Sequence, residues 1–452
     1  MVLDGANPLS EGRGDWVALQ GYHRKLRENE MKSKGLWMFM SLALFMGVFA
    51  GMAEAGGLIL YEVNSPSTGT ASAGWAASAN DAATAFQNPA GMTRLDRSQL
   101  LVGAQPEIIT SEFNAGAGTR VMHGGDSGGN AGGILPSMAG YYVYRATDRL
   151  RLGIGGLSYF GLGLNYGDNW VGRYRVEKAA FITASLAPSL AYRINDWLSV
   201  GAMLNIMYAY LKTDTAVNNL DGSDGQASYK DSNTGIGAGL GIMIEPTDAT
   251  RFGVTYYSPV ALHFKDTPSF SNLGLVWDKL LTGRQLEMNY TIPQWIMVSG
   301  YHQITNDLAI MANFGWQNWS QFGNVDLALQ FDRVGNQSST VNLNMKDTWH
   351  GALGMQYRIA KLWLLSLGFA YDSSPMSTAD RSPSMPLDQT WRAATGIQYD
   401  WNQNLTLGLA YEYINAGSAS INKTGGLLVG DLVGDYSPNM INVVNVNLIY
   451  KF

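Results

Sequence analysis

The 452-residue chain contains no cysteine. That removes a disulfide framework and any thiolate metal site, and it suits a chain folding in an oxidising compartment, where a stray thiol gains nothing. Charge is also sparse: Asp, Glu, Lys and Arg make up 15% of residues, with a formal net charge of −6. Neither a nucleic-acid surface nor a polybasic membrane patch is indicated, so no nucleic-acid partner is expected. Histidine is scarce, and His23, His123, His263, His302 and His350 have no metal-ligand spacing. No cofactor is expected. Past residue 55, no uninterrupted apolar run is long enough for a membrane helix.

What is present begins with a leader. Residues 1–30 are polar and pattern-free. Met31, Lys32 and Lys34 then precede an apolar core from Leu36 to Phe49 and a small-x-small site at Ala53-Glu54-Ala55. This pattern predicts a signal peptide over 31–55, with 1–30 an over-extended reading frame and the mature chain starting at Gly56. A signal-anchor helix fits less well because the core is short for a span. From Gly56 to Met92, small and polar residues dominate with no regular period. Composition alone leaves this stretch either a disordered linker or irregular backbone packed closely inside something.

Beyond it, period-two alternation prevails. Leu198, Val200, Ala202, Leu204, Ile206, Tyr208 and Tyr210 alternate with Ser199, Gly201, Met203, Asn205, Met207 and Ala209. Leu405 to Tyr413 and Val444 to Phe452 repeat the pattern. An exported chain of this kind is either a periplasmic β-protein or an outer-membrane barrel. Aromatics near strand ends, an apolar outer face and the terminal Phe452 favour the barrel. Segments near 97–110, 137–147, 150–160, 180–193, 197–212, 234–246 and 250–264 read as strands. So do 284–303, 307–320, 342–358, 362–372, 389–400, 404–414 and 440–452. Short turns alternate with long loops between them. The fold expected is all-β, a fourteen-stranded antiparallel transmembrane barrel with both termini periplasmic.

Several segments taken in order resemble the FadL/TodX family of long-chain fatty acid and hydrocarbon transporters. They are Asn80-Asp81-Ala82-Ala83 with Phe86-Gln87-Asn88-Pro89-Ala90, Phe160-Gly161-Leu162 with Trp170-Val171-Gly172-Arg173-Tyr174, Pro188 to Arg193, and Asp372-Ser373-Ser374-Pro375 with Arg381-Ser382-Pro383. The resemblance covers essentially all of 56–452. It implies a monomeric barrel over 97–452 whose N-terminal hatch, 56–96, plugs the lumen, with Asn88, Pro89 and Ala90 as a hatch element. It also implies a third strand that kinks and opens the wall, which would place a lateral opening at Phe160, Gly161 and Gly163. Leu58 and Ile59, just after the cleavage site, correspond to the end that relatives insert into the ligand pocket.

Other motifs weigh less. Gly125-Asp126-Ser127-Gly128-Gly129 spells a serine-protease nucleophile sequence, but it lies in a Gly-rich loop with no companion histidine motif. Asp221-Gly222-Ser223-Asp224-Gly225 lacks a full calcium-ligand set. Glycines at 153–156 precede no helix and so form no dinucleotide fingerprint. Met203 and Met207 face inward by parity and suit either variable apolar ligands or ordinary packing of a plug against the wall. Lys346, His350 and Arg392 also face inward; Lys346 with Arg392 would either hold a ligand carboxylate near the extracellular mouth or each pair with a loop carboxylate such as Asp347 or Asp388. Relatives commonly carry Asp-Arg where this chain has Gln389-Thr390, so Arg392 stands in for that arginine.

The function expected is passive outer-membrane uptake of hydrophobic molecules, fatty acids first, with lateral exit into lipid past the lipopolysaccharide barrier. Aromatic or alkane hydrocarbons are the alternative cargo. A barrel enzyme of lipase or protease type is the alternative class, and no enzyme is the reading preferred.

Overall fold

Alternating apolar residues form strands here because one face of each strand meets lipid and the other meets a filled lumen. The computed structural model describes residues 58–63, 65–331 and 335–452. The leader at 31–55, the stretch 1–30 and Gly56 lie outside the described residues.

The strands are β1 (Leu58–Ile59), β2 (Gln99–Ala115), β3 (Ile134–Arg145), β4 (Leu150–Leu157), β5 (Phe160–Asn165), β6 (Lys178–Arg193), β7 (Leu198–Asn218), β8 (Asp224–Thr247), β9 (Thr250–Tyr257), β10 (Val260–Asp266) and β11 (Ser269–Ser271). They continue with β12 (Leu286–Ile292), β13 (Trp295–Gln303), β14 (Leu308–Gln317), β15 (Asn324–Phe331), β16 (Gly335–Asn342), β17 (Thr348–Ala360), β18 (Trp363–Asp372), β19 (Thr390–Asp400), β20 (Leu405–Asn415), β21 (Ile421–Lys423) and β22 (Leu432–Lys451). Fourteen of them make a closed antiparallel wall when β4 and β5 are taken as one interrupted strand. Closure is made by β2 on β22, where Leu101 faces Ile449. A closed wall has no edge, which is what a bilayer demands of backbone hydrogen bonds.

Burial is inverted relative to a soluble protein. Leu353 (68% exposed), Phe314 (59%) and Val446 (54%) point outward, while Gln105, Asn205, Asn313, Gln317 and Asn445 are buried. Short turns at 146–149, 194–197, 248–249, 304–307, 361–362 and 401–404 lie at the end shared with Phe452. The long connections 116–133, 258–294, 318–347 and 373–389 lie at the other, the extracellular end of such barrels.

Three strand expectations change. Residues 250–264 break at Ser258-Pro259, and 284–303 break between Ile292 and Trp295. β10 and β12 leave the wall to join β15 and β16 in a separate four-stranded sheet over the extracellular mouth. Its inner face buries Leu262, Phe264, Met288 and Tyr290, and a local alternation cannot reveal which sheet a strand will join. The third change concerns 342–358, where β17 starts only at Thr348 because Asn344 sits at φ 51 and the Lys346 amide is captured by the Pro375 carbonyl at 2.7 Å.

Candidate functional site

Residues 65–95 fill the lumen, and their small side chains are what permits it. An irregular segment brings unpaired backbone groups that must be satisfied, and inward side chains of the wall supply them. Asn313 Oδ1 accepts from the amides of Gly74 (2.8 Å) and Trp75 (3.0 Å), and its Nδ2 donates to the Ser72 carbonyl at 2.7 Å. Ser299 Oγ accepts from the Ala76 amide, and Thr255 donates to the Gln87 carbonyl. Arg251 Nε donates to the Ala77 carbonyl while its guanidinium lies 3.5 Å from the Tyr301 ring centroid.

Asn88, Pro89 and Ala90 are buried together. Asn88 Nδ2 donates to the carbonyls of Ala76 (2.6 Å) and Ile242 (3.0 Å), and its Oδ1 accepts from the Ala90 amide, capping the helical turn that Pro89 begins. The wall opposite is glycine, since a Cβ on Gly241 would fall 2.0 Å from Asn88 Oδ1 and one on Gly253 would fall 1.8 Å from the Ala76 carbonyl oxygen.

Asp81 lies at the lower end of this segment, outside the spanning strands, and accepts from the Ala83 amide at 2.9 Å. Burial pushes its carboxyl up to about 6, against the opposing effects of that amide and of Lys451. A raised acid stabilises the docked segment fully below its unfolded value, about 3.9, and that contribution is lost as pH rises through about 6. Amides of 72–90 should therefore exchange more slowly at pH 5 than at pH 7.5 after correction for intrinsic rates. Asp81→Asn should flatten the difference, and a difference that persists in the variant would show another group is responsible.

Above the segment, Ile59 and Tyr61 border a small cavity with Trp319, Met385, Leu387 and Arg392. Trp75 donates to Tyr257 OH, and Tyr257 stacks on Trp295 at 3.8 Å. Met203 and Met207 face inward and are buried, but neither borders the Ile59 cavity. Phe160 is buried among Phe181, Trp319 and Phe322, at 5.4, 6.0 and 5.6 Å between centroids.

Arg392 and His350 converge as parity implied, one on each side of β18, but on an acid of the chain itself. Arg392 Nη1 pairs with Asp372 Oδ2, and its Nε lies 3.3 Å from Glu62 and 3.9 Å from Glu412. His350 Nδ1 contacts Asp372 Oδ1 at 2.9 Å, and its ring centroid is 4.3 Å from that of Tyr61. The expectation for Lys346 fails: it is exposed in the loop ahead of β17 and takes no part in this cluster. Loss of the strand register upstream of Thr348 removes the parity on which that expectation rested. Sequence reasoning missed Glu62, Asp372 and Glu412 as partners, although parity on β20 already turns Glu412 inward beside Tyr411 and Tyr413.

The third wall strand is broken. β4 pairs with β3 from Gly140 upward in sequence, leaving 134–139 of β3 with no partner on that side. β5 pairs instead with β1, Leu58 opposite Gly161 and Ile59 opposite Phe160. Ile134 and Met138 beside the gap are about 70% exposed. The interruption falls on Ser158-Tyr159, ahead of the glycines expected to make it. Gly161 instead allows close approach to the Phe181 carbonyl, 2.9 Å from a Cβ built there, and Gly163 faces open space. At the top, the Asn165 amide donates to the Ala131 carbonyl at 2.8 Å and closes the gap's rim.

In the loops, Asp126 Oδ1 accepts from the Gly128 amide, and His123 reaches Asn218 rather than Ser127. Asp221 accepts from the Ser223 amide in a simple turn.

A family model described as outer membrane protein transport protein (OMPP1/FadL/TodX) matches residues 46–452. Outer membrane protein P1 of Haemophilus influenzae is 26% identical, over 91% of this chain and 98% of that one. The long-chain fatty acid transport protein of Escherichia coli K12 is 27% identical, over 87% and 95%. Among solved structures, a Pseudomonas aeruginosa FadL homologue superposes with a TM-score of 0.80 at 22% identity, covering 88% of this chain and all of that one. The toluene transporter TodX of P. putida superposes at 0.63 and 16% identity, over 82% and 94%.

Proposed function

The chain belongs to the outer membrane protein transport family, OMPP1/FadL/TodX, and from that membership we propose that it carries hydrophobic molecules inward, with long-chain fatty acids as first cargo. The observation that carries this reading is the broken third strand, whose gap lies beside the buried aromatic group around Phe160. A greasy solute meets an apolar lining under the extracellular sheet, moves to the cavity at Ile59, and leaves sideways into lipid without crossing the polar hatch. Binding of this kind is transport by affinity and partition. No catalytic step is part of it.

Uncharged hydrocarbons are the second reading, favoured by one observation. Arg392 is already faced by Glu62, Asp372 and Glu412, so a fatty-acid carboxylate would have to displace an internal acid to reach it. Mass spectrometry of small molecules released from the purified barrel separates the two cargoes.

The exit route has its own test. Gly163→Trp fills the open space beside the gap and should lower uptake of labelled oleate or toluene about tenfold, with normal barrel assembly. Gly161→Val, by contrast, meets the Phe181 carbonyl and should impair folding. Unchanged uptake in an assembled Gly163→Trp barrel would exclude this gap as the exit.

A further inference from the structure

Three cations stand on the outside of the wall, on neighbouring strands. Alternation on β6, β7 and β8 turns even-numbered residues outward, and Leu186, Leu190, Leu204, Tyr208, Ile236 and Leu240 are exposed there. Lys178, Lys212 and Lys230 continue the same three rows at their extracellular ends. Lys212 and Lys230 face each other directly across the β7–β8 pair. Lys178 sits one outward step above Ala180, the β6 partner of Lys212.

Like charges placed opposite each other on a sheet destabilise it unless an anion lies between them. The chain supplies too little. Asp214 lies 3.4 Å from Lys212 but also accepts from Ser228 at 2.6 Å and is buried. Among the described residues, Lys178 and Lys230 have no ion-pair partner within 4 Å. Lys265, nearby on β10, differs because Glu287 neutralises it.

Height fixes what these lysines meet. From Leu198 to Lys212, at about 3.3 Å per residue and a tilt of about 40°, the wall rises roughly 35 Å, against an apolar band of about 25 Å. Tyr208 and Tyr210 occupy the interfacial belt, and the lysines stand in the headgroup layer above it. At the upper ends of β17 and β19 the outward residues are instead Trp349 and Trp391. The positive row is local to three strands.

We propose that Lys178, Lys212 and Lys230 bind the phosphate groups of a phosphorylated glycolipid of the outer leaflet, whose acyl chains lie on Ile182, Leu186, Leu204 and Ile236. Ammonium groups form charge-assisted hydrogen bonds with phosphate oxygens, and a phosphate between Lys212 and Lys230 removes their repulsion. Since Lys178 pairs with Asn165 of β5, the bound lipid stands beside the broken strand. The inference depends on the outer-membrane location alone and is independent of the cargo.

The test compares full-length wild-type barrel with the variant K178Q/K212Q/K230Q, both extracted from outer membranes. Native mass spectrometry reads retained bis-phosphorylated glycolipid, and vesicles containing that lipid or its dephosphorylated form read rebinding. The triple Gln variant should retain at least fivefold less, and the triple Arg variant should match wild type. Dephosphorylated lipid should bind wild type and the Gln variant equally weakly, and millimolar inorganic phosphate should not displace the lipid from wild type. Equal retention by wild type and the Gln variant overturns the site, as does equal wild-type binding of both lipids. Displacement by inorganic phosphate assigns the row to free anions and overturns the lipid. Should the triple variant not assemble, as read by heat-modifiable mobility, Lys230→Gln alone must lose at least twofold or the site is wrong.

Discussion

Replacing Gly253 with valine should unseat the lumen segment and make the outer membrane permeable to polar solutes. A Cβ there would fall 1.8 Å from the Ala76 carbonyl oxygen, a backbone atom with nowhere to retreat because Ala76 is itself held by Ser299 and Asn88. Gly241→Val acts on the same clamp from β8, where the Cβ would fall 2.0 Å from Asn88 Oδ1. Overpacking costs about 1–3 kcal/mol at one site. A segment held by distributed single hydrogen bonds, each contributing about 1 kcal/mol, should lose much of its docking free energy to the pair. Influx of a hydrophilic antibiotic should rise at least tenfold in the double variant, and protease should cut within 65–95. Gly351→Val is the control, since its Cβ meets nothing within 4 Å. A double variant as tight as wild type would mean that some other part of the chain closes the lumen.

The second large effect is expected at Arg392. Its removal leaves Glu62, Asp372 and Glu412 facing one another without the guanidinium that now lies among them. Breaking a buried ion pair from one side costs about 3–5 kcal/mol because the remaining charge stays desolvated. Arg392→Ala should therefore lower the unfolding midpoint of the barrel in denaturant and loosen 58–63, read as faster amide exchange there. Lys346→Ala should leave both unchanged. Glu62→Gln in the Arg392→Ala background should recover part of the loss by removing one of the opposed acids. If the two single variants behave alike, the acids draw no stability from Arg392.

The wall was legible because lipid and lumen impose a strict two-residue period, so Met203, Met207, His350 and Arg392 could be turned inward from parity alone. Parity fails where a strand ends, and strand ends here are set by distant contacts. Lys346 left the lumen because Pro375 and Asp347, which accepts from the Ser320 amide at 3.1 Å, hold its loop. The break at Ser158-Tyr159 was misplaced for a similar reason. Glycine spacing is local, whereas the departure of β5 from β3 is accompanied by pairing with Leu58 and Ile59, about a hundred residues earlier in the chain. Resemblance supplied the hatch, which composition left open between a linker and a packed segment. Glu62 was beyond both, since nothing local marks it as a partner of β19, whereas parity on β20 already turned Glu412 inward.

The alternation that builds the wall also governs the chain before it folds. From Leu198 to Tyr208 every apolar outward residue is followed by Ser, Gly, Met, Asn or Ala, so the greasy surface exists only once strands form. A translocating polypeptide of this kind presents no helical stop signal to an inner membrane, which sorts segments by some twenty consecutive apolar residues. The same sequence is therefore polar enough in transit to pass one bilayer and apolar enough when closed to remain in the next.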